Sequence, residues 1–287
     1  MRKMKKYVVM FCALLAMGAS VASCSSDEEV VQGAAGQGEA MVMFDVATNV
    51  AYSRTIYDDA KVAANYKLTL TKEGESEPLF KDVDYGDLEL EYKVEADVNY
   101  TLSAYYGEDV PAGFDKLYMT GSQTFSVVAG DKKTVTISTN PANSKLILAY
   151  KGLKEDGSDK FTDYFKDCAV SIKTSYMTEA FSMAIADEGK ELFLKTSNDD
   201  NEGDGTAVDL AFTITNKEGE VVTVEGFEAN KTVYIKPAYA YTVTITPAKN
   251  GVDGGLVGLN ITVDDGVTDE DVNITIPAEY LSTTATE

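Results

Sequence analysis

The 287-residue chain contains no histidine and no tryptophan, and Arg54 is its only arginine beyond Arg2. Without histidine, Ser-His-Asp and Cys-His nucleophile systems, histidine-ligated zinc and the usual neutral-pH general base are excluded. An enzymatic mechanism would have to rest on carboxylates, lysine or tyrosine. Without tryptophan, the most effective platform for stacking a sugar face is missing. Positive charge is also scarce. The 25 Lys+Arg face 47 Asp+Glu, a formal charge of -22, and so negative a chain repels phosphate backbones, which excludes nucleic acid as a partner. No motif calls for a cofactor.

Residues 1–23 read as a signal segment, with basic Arg2, Lys3, Lys5 and Lys6 followed by an apolar run from Tyr7 to Ala19. That run is too short for a permanent membrane span. The tetrapeptide Val21-Ala22-Ser23-Cys24 resembles a bacterial lipobox, which implies cleavage before Cys24 and a lipid on its thiol, the chain's link to a membrane. Each buried acyl methylene contributes about 0.8 kcal/mol, so two or three chains anchor stably. An ordinary signal peptide with a chance cysteine is the plainer alternative. Residues 24–39 then form a flexible linker, opening on Ser25-Ser26-Asp27-Glu28-Glu29 and running through Gly and Ala. The acidic cluster resembles the surface-export signal of Bacteroidetes lipoproteins, implying the outer face of the outer membrane; a solvated spacer is the competing reading. Removing residues 1–23 takes away four basic residues and no acidic ones, leaving 21 against 47, or -26. Cys12 leaves with the signal and Cys24 carries lipid, so Cys168 has no disulfide partner and reads as a buried structural thiol.

From Ala40 the pattern is one of short alternating runs separated by Gly, Asp and Asn, the signature of antiparallel sheet. Tyr66–Leu70, Leu88–Val94, Tyr100–Tyr105, Thr124–Val127 and Thr134–Ser138 form a first series. Asn140-Pro141-Ala142-Asn143 interrupts it. A second series starts at Lys145–Tyr150 and passes through Val170–Ile172, Phe181–Ile185, Leu192–Leu194, Val208–Thr215, Val221–Val224, Val233–Ile235 and Tyr241–Ile245. It closes on Leu259–Val263 and Val272–Ile276. Helical periodicity is confined to Lys160–Lys166. The expected fold is mainly β: two tandem antiparallel sandwiches of transthyretin or immunoglobulin type, residues 40–140 and 141–280, with one short helix and a tail at 281–287.

The stretch from Ala112 to Gly130 (AGFDKLYMTGSQTFSVVAG), with Asn143-Ser144-Lys145-Leu146 and Asp163-Tyr164-Phe165-Lys166-Asp167, resembles a family of Bacteroides surface lipoproteins known only as a domain of unknown function. That family is similar in architecture to the fimbrillins, two-domain pilin and adhesin subunits. The resemblance implies a non-catalytic role in adhesion or as a fimbrial subunit, with like subunits, a host protein or a glycan as partner. It also implies lipid-anchored precursors cut by an arginine-specific protease, whose opened groove is filled by a neighbour's strand. Arg54, placed before the first confident strand, fits such a cleavage site; an ordinary exposed linker residue fits it too. A glycan-binding lipoprotein of a polysaccharide-utilisation system is the alternative function.

Two further groups carry chemistry. Asp200, Glu202 and Asp204 with Gly205 have the oxygen density of a calcium loop, but Ala211 stands where a helix-loop-helix site needs a bidentate Glu. A solvated hairpin loop explains them as well. With sugar stacking left to tyrosine and phenylalanine, Tyr105, Tyr106, Phe114 and Tyr118 form the candidate contact surface.

Overall fold

The computed structural model describes residues 38–49, 51–52, 55–56, 58–89, 91–224, 233–249, 256–264 and 272–276. Strands dominate because the alternating runs each bury one face. In the first half these are β1 (Glu39–Thr48), β2 (Ala51–Tyr52), β3 (Thr55–Ile56), β4 (Lys67–Lys72), β5 (Phe80–Asp84), β6 (Tyr92–Glu95), β7 (Asn99–Tyr106), β8 (Ala112–Phe114), β9 (Met119–Ser126) and β10 (Lys132–Pro141). The second half holds β11 (Asn143–Tyr150), β12 (Asp167–Thr174), β13 (Phe181–Ala184), β14 (Leu192–Lys195), β15 (Thr206–Thr215), β16 (Val221–Val224), β17 (Val233–Ile235), β18 (Ala240–Lys249), β19 (Leu256–Asp264) and β20 (Val272–Ile276). Period two is visible in β7, where Tyr100, Leu102 and Ala104 are buried, and in β15, where Val208, Leu210, Phe212 and Ile214 are.

Seven strands run in the order β5-β4-β7-β9-β10-β1-β6. The path folds at β10, which pairs with β1 along residues 132–139 but with β9 only through Asn140 and Pro141. The two halves of that path enclose a first core of Val42, Val46, Val94, Val135 and Ile137 against Leu68, Leu70, Tyr100, Leu102 and Met119. Phe44 on β1 meets Phe80 on β5 edge to face at 5.8 Å, closing the sandwich. The second core lies between a six-stranded sheet, β20-β19-β18-β11-β14-β8, and a second sheet, β13-β12-β15-β16, with β17 on β15. Leu146, Leu148, Val243, Ile245 and Ile261 face Cys168, Val170, Ile172, Phe212 and Ile214 across it.

The mainly β architecture is as expected, and three details within it differ. Two strand pairs are parallel, β1 with β10 and β11 with β18, and each closes a long connection that no local pattern displays. The expected short helix at Lys160–Lys166 is a 3₁₀ turn, Phe161–Asp163, one of several such turns; no α-helix occurs among the described residues. Phe161 and Phe165 stack at 5.2 Å and are buried in the second core, and this produced the helical spacing. The run Leu88–Val94 is not one strand. The 3₁₀ turn at Tyr85–Asp87 extends to Leu88, whose N–H donates to Tyr85 O, and pairing with β1 begins at Tyr92.

The chain passes from one core to the other at Ala142, the single residue between β10 and β11. The halves also interlock. β8 pairs with β14 in the second half's sheet, and Phe193 of β14 packs into the first core. Cys168 is fully buried on β12, and burial pushes its thiol up to about 12, so it remains protonated.

The loop from Lys151 to Lys160 is tied by one carboxylate. Asp159 accepts from the Leu153 and Lys154 amides at 3.1 and 2.9 Å and from the Tyr164 hydroxyl at 2.5 Å. These bonds, the Tyr164 contact above all, hold the Asp159 carboxyl below the usual range. Its contribution is therefore complete above the ordinary Asp value of about 3.9 and is lost as pH falls through the lower folded value. Asp159→Asn should flatten the acid limb of stability against pH below about pH 4, measured by thermal melts across that range; an unchanged limb would show that the loop does not depend on the charge.

Candidate contact surface

The expected contact residues divide into two pairs. Tyr106 packs against the first core, its ring 5.6 Å from that of buried Tyr66, and Phe114 packs against the second, edge to face with Phe181 at 5.2 Å. Both are core-facing. Tyr105 and Tyr118 are brought together, ring centroids 6.3 Å apart at 44°, and both remain half-exposed. Adjacent residues on a strand face opposite sides, which is why Tyr105 and Tyr106 part company.

Tyr118 is held in place from the crossing between the cores. Asn143, 4% exposed, donates through Nδ2 to Lys116 O at 2.7 Å and accepts from Tyr118 N–H through Oδ1 at 3.4 Å. Ala142 N–H donates to Tyr118 O at 2.9 Å. Removing the buried Asn143 amide strips partners from the Lys116–Tyr118 backbone at a cost of about 1–3 kcal/mol. Asn143→Ala should thus lower the melting temperature by several degrees, read by circular dichroism, and loosen Tyr118.

Three residues missing from the sequence reading complete the surface. Lys195, at the end of β14, pairs with Asp109 at 2.6 Å and lies 5.6 Å from the Tyr176 ring centroid. Its pKa is raised, first by the hydrogen bond to Asp109, with Tyr176 and Tyr118 adding to it. Burial raises the Tyr118 phenol, and the Asp109 charge adds to that. Tyr105 is likewise raised, by burial first and then by Asp82. The result is a neutral tyrosine strip, Tyr105, Tyr118 and Tyr176, with one ion pair set into it. It offers ring faces, hydroxyls and a cation.

In the acidic loop the Asp200 carboxylate is engaged by neighbouring side chains. Asp200 accepts from Thr206 Oγ1 at 2.6 Å and from the Tyr176 hydroxyl at 3.0 Å, one on each carboxylate oxygen. Asn201 and Glu202 adopt left-handed backbone, φ 49° and 59°, forming a tight turn. Among the described residues no three acidic or cysteine side chains converge as a metal site. Cys24 and Arg54 lie outside the described residues.

Residues 38–278 match the model of a family described as a domain of unknown function, DUF4493. No curated protein matches. Among solved structures, a fimbrial assembly protein from Parabacteroides distasonis is 11% identical, with 83% of this chain and 98% of that one covered and a TM-score of 0.46. A candidate cell adhesion protein from Bacteroides eggerthii is 14% identical over 84% and 95%, TM-score 0.41. A candidate polysaccharide-binding protein from Bacteroides thetaiotaomicron is 12% identical over 85% and 100%, TM-score 0.38. At that level of likeness these names carry no functional inference.

Proposed function

Because the chain belongs to the DUF4493 family, a domain of unknown function, its role rests on its own features, and we propose a non-catalytic, lipid-anchored surface protein acting by contact, as an adhesin or fimbrial-type subunit. The N-terminal segment and Cys24 support the anchor and an outer-membrane address. The two cores support two domains with a seam at residues 140–143. The titratable groups support the non-catalytic part. Among the described residues every shifted group moves away from neutrality: tyrosines, lysines and Cys168 upward, Glu108 and the shifted aspartates downward.

One observation carries the fimbrial reading. Arg54 does not precede the first strand, as expected from the sequence, but follows β1. That ten-residue strand sits between β10 and β6, its Ala40, Val42 and Val46 filling the first core. Cutting after Arg54 would separate β1 from the chain and leave a slot with two open edges, the geometry that a neighbour's strand fills by β-augmentation. Among the described residues β20 pairs with β19 alone, and as an edge strand it is this chain's own candidate donor.

In the native host, wild-type protein should run as a processed species with oligomer ladders on unboiled gels. Arg54→Gln should stay unprocessed and monomeric. Ladders from Arg54→Gln equal to wild type would overturn the mechanism.

A further inference from the structure

The molecule holds an open cleft of about 780 Å³ at one end of the second sandwich, within the size range of small-ligand sites. Its floor is apolar, from Tyr150, Phe161 and Ile185, and its rim is the loop carrying Lys151, Lys154 and Lys160. The loop is a built feature. The carboxylate of Asp159 lies so close to Gly152 that a Cβ there would stand 2.2 Å from Oδ1, so the rim folds around that group only because residue 152 is glycine.

The cleft's charges are unequally engaged. Asp159 spends its oxygens on two loop amides and the Tyr164 hydroxyl, Glu188 accepts from the Tyr150 amide at 2.8 Å, and Glu155 is exposed on the rim. Lys151, Lys154 and Lys160 are exposed, and among the described residues none of them joins an ion pair. Some lysines elsewhere are taken up, as Lys67 by Asp84 at 3.0 Å and Lys116 by Glu108 at 2.6 Å, while Lys81, Lys166 and Lys173 are exposed and join no ion pair among the described residues. Three lysines face three carboxylates around the cleft, so on a chain of charge -22 its rim carries no net negative charge; two of those carboxylates are already hydrogen-bonded to backbone amides, and Lys154 also lies within electrostatic reach of Asp159. The lysines present donors to an oxygen-rich anion, while the floor suits the C–H face of a ring.

We propose that this cleft binds an acidic saccharide, one bearing carboxylate or sulfate groups, with the lysines of the Lys151–Lys160 loop holding its charges over the floor of Tyr150, Phe161 and Ile185. The site is separate from the tyrosine strip around Tyr118. It deepens the contact reading by naming a ligand class, and it is independent of β1. Failure of the ligand to bind leaves polymerisation after Arg54 cleavage untouched, and failure to polymerise leaves the cleft untouched.

The test is calorimetric titration of the purified full-length chain with oligogalacturonate, dextran of similar length and inorganic sulfate. Oligogalacturonate should bind, more weakly as salt rises, and dextran should not. A chain carrying Lys151→Gln, Lys154→Gln and Lys160→Gln should lose roughly tenfold or more in affinity with an unchanged melting temperature, since all three side chains are exposed. Lys173→Gln, exposed on β12 and outside the cleft, should bind as wild type. No binding, equal binding of dextran, or full affinity in the triple variant would overturn the proposal. Inorganic sulfate binding as tightly as the oligosaccharide would reduce the cleft to a simple anion site and overturn the saccharide assignment.

Discussion

Val42→Asp is expected to abolish the cooperative melt of the first sandwich. Val42 is fully buried on β1, between β10 and β6. The change removes about 1.5–3 kcal/mol of apolar burial and places a carboxylate in a core that offers it no cation, which costs several kcal/mol more. The sum is comparable with the 5–15 kcal/mol that separates folded from unfolded states. Ala47→Ser, exposed on the same strand, should change stability by no more than about 0.5 kcal/mol. Circular dichroism melts of the two variants make the comparison, and a Val42→Asp melt matching wild type would mean that β1 contributes nothing to the core.

Gly107→Ala should lower the melting temperature by roughly 10 °C. Gly107 has φ +83°, and a Cβ there would come 2.1 Å from the Leu117 carbonyl oxygen. The left-handed backbone costs an L-residue about 1–2 kcal/mol, and forcing the loop from β7 away from Leu117 adds about 1–3 kcal/mol. For a chain of this size each kcal/mol moves the midpoint by about 2–4 °C. Gly130→Ala isolates the first contribution. Its φ is +84°, but nothing lies within 4 Å of the added Cβ, so it should lose only the backbone part. Equal losses in the two variants would show that the approach to Leu117 is not tight. Because Leu117 precedes Tyr118, Gly107→Ala should also disturb the tyrosine strip.

Strands whose alternation survives in the sequence were legible, as β7, β12, β15 and β18 illustrate. β1 was not. Its run Glu39–Thr48 mixes apolar residues on both faces, because Met41 and Met43 stay half-buried on the face opposite Val42 and Phe44, and its partner β10 lies some ninety residues away. Period two reports which face is buried but not which strand is adjacent, and parallel pairing is invisible to it. The same limit governs the contact surface. Tyr105 and Tyr118 were legible as aromatics in a loop-rich stretch, whereas Lys195 is carried to them by the pairing of β14 with β8, and Tyr176, between β12 and β13, meets them through the Lys195 amine. The cleft lysines carry no sequence signal at all: exposed lysines in a polar loop look like solvation until the fold places an apolar floor beneath them.

The central claim is that β1 occupies a slot another strand can take. Its direct test is light scattering, with mass spectrometry of the chains present, on purified protein before and after cleavage at Arg54 by an arginine-specific protease. The expected result is loss of the fragment carrying β1 together with growth from monomer to multimers. A cleaved chain that keeps β1 bound and stays monomeric, or one that loses β1 and simply unfolds as a monomer, would contradict it.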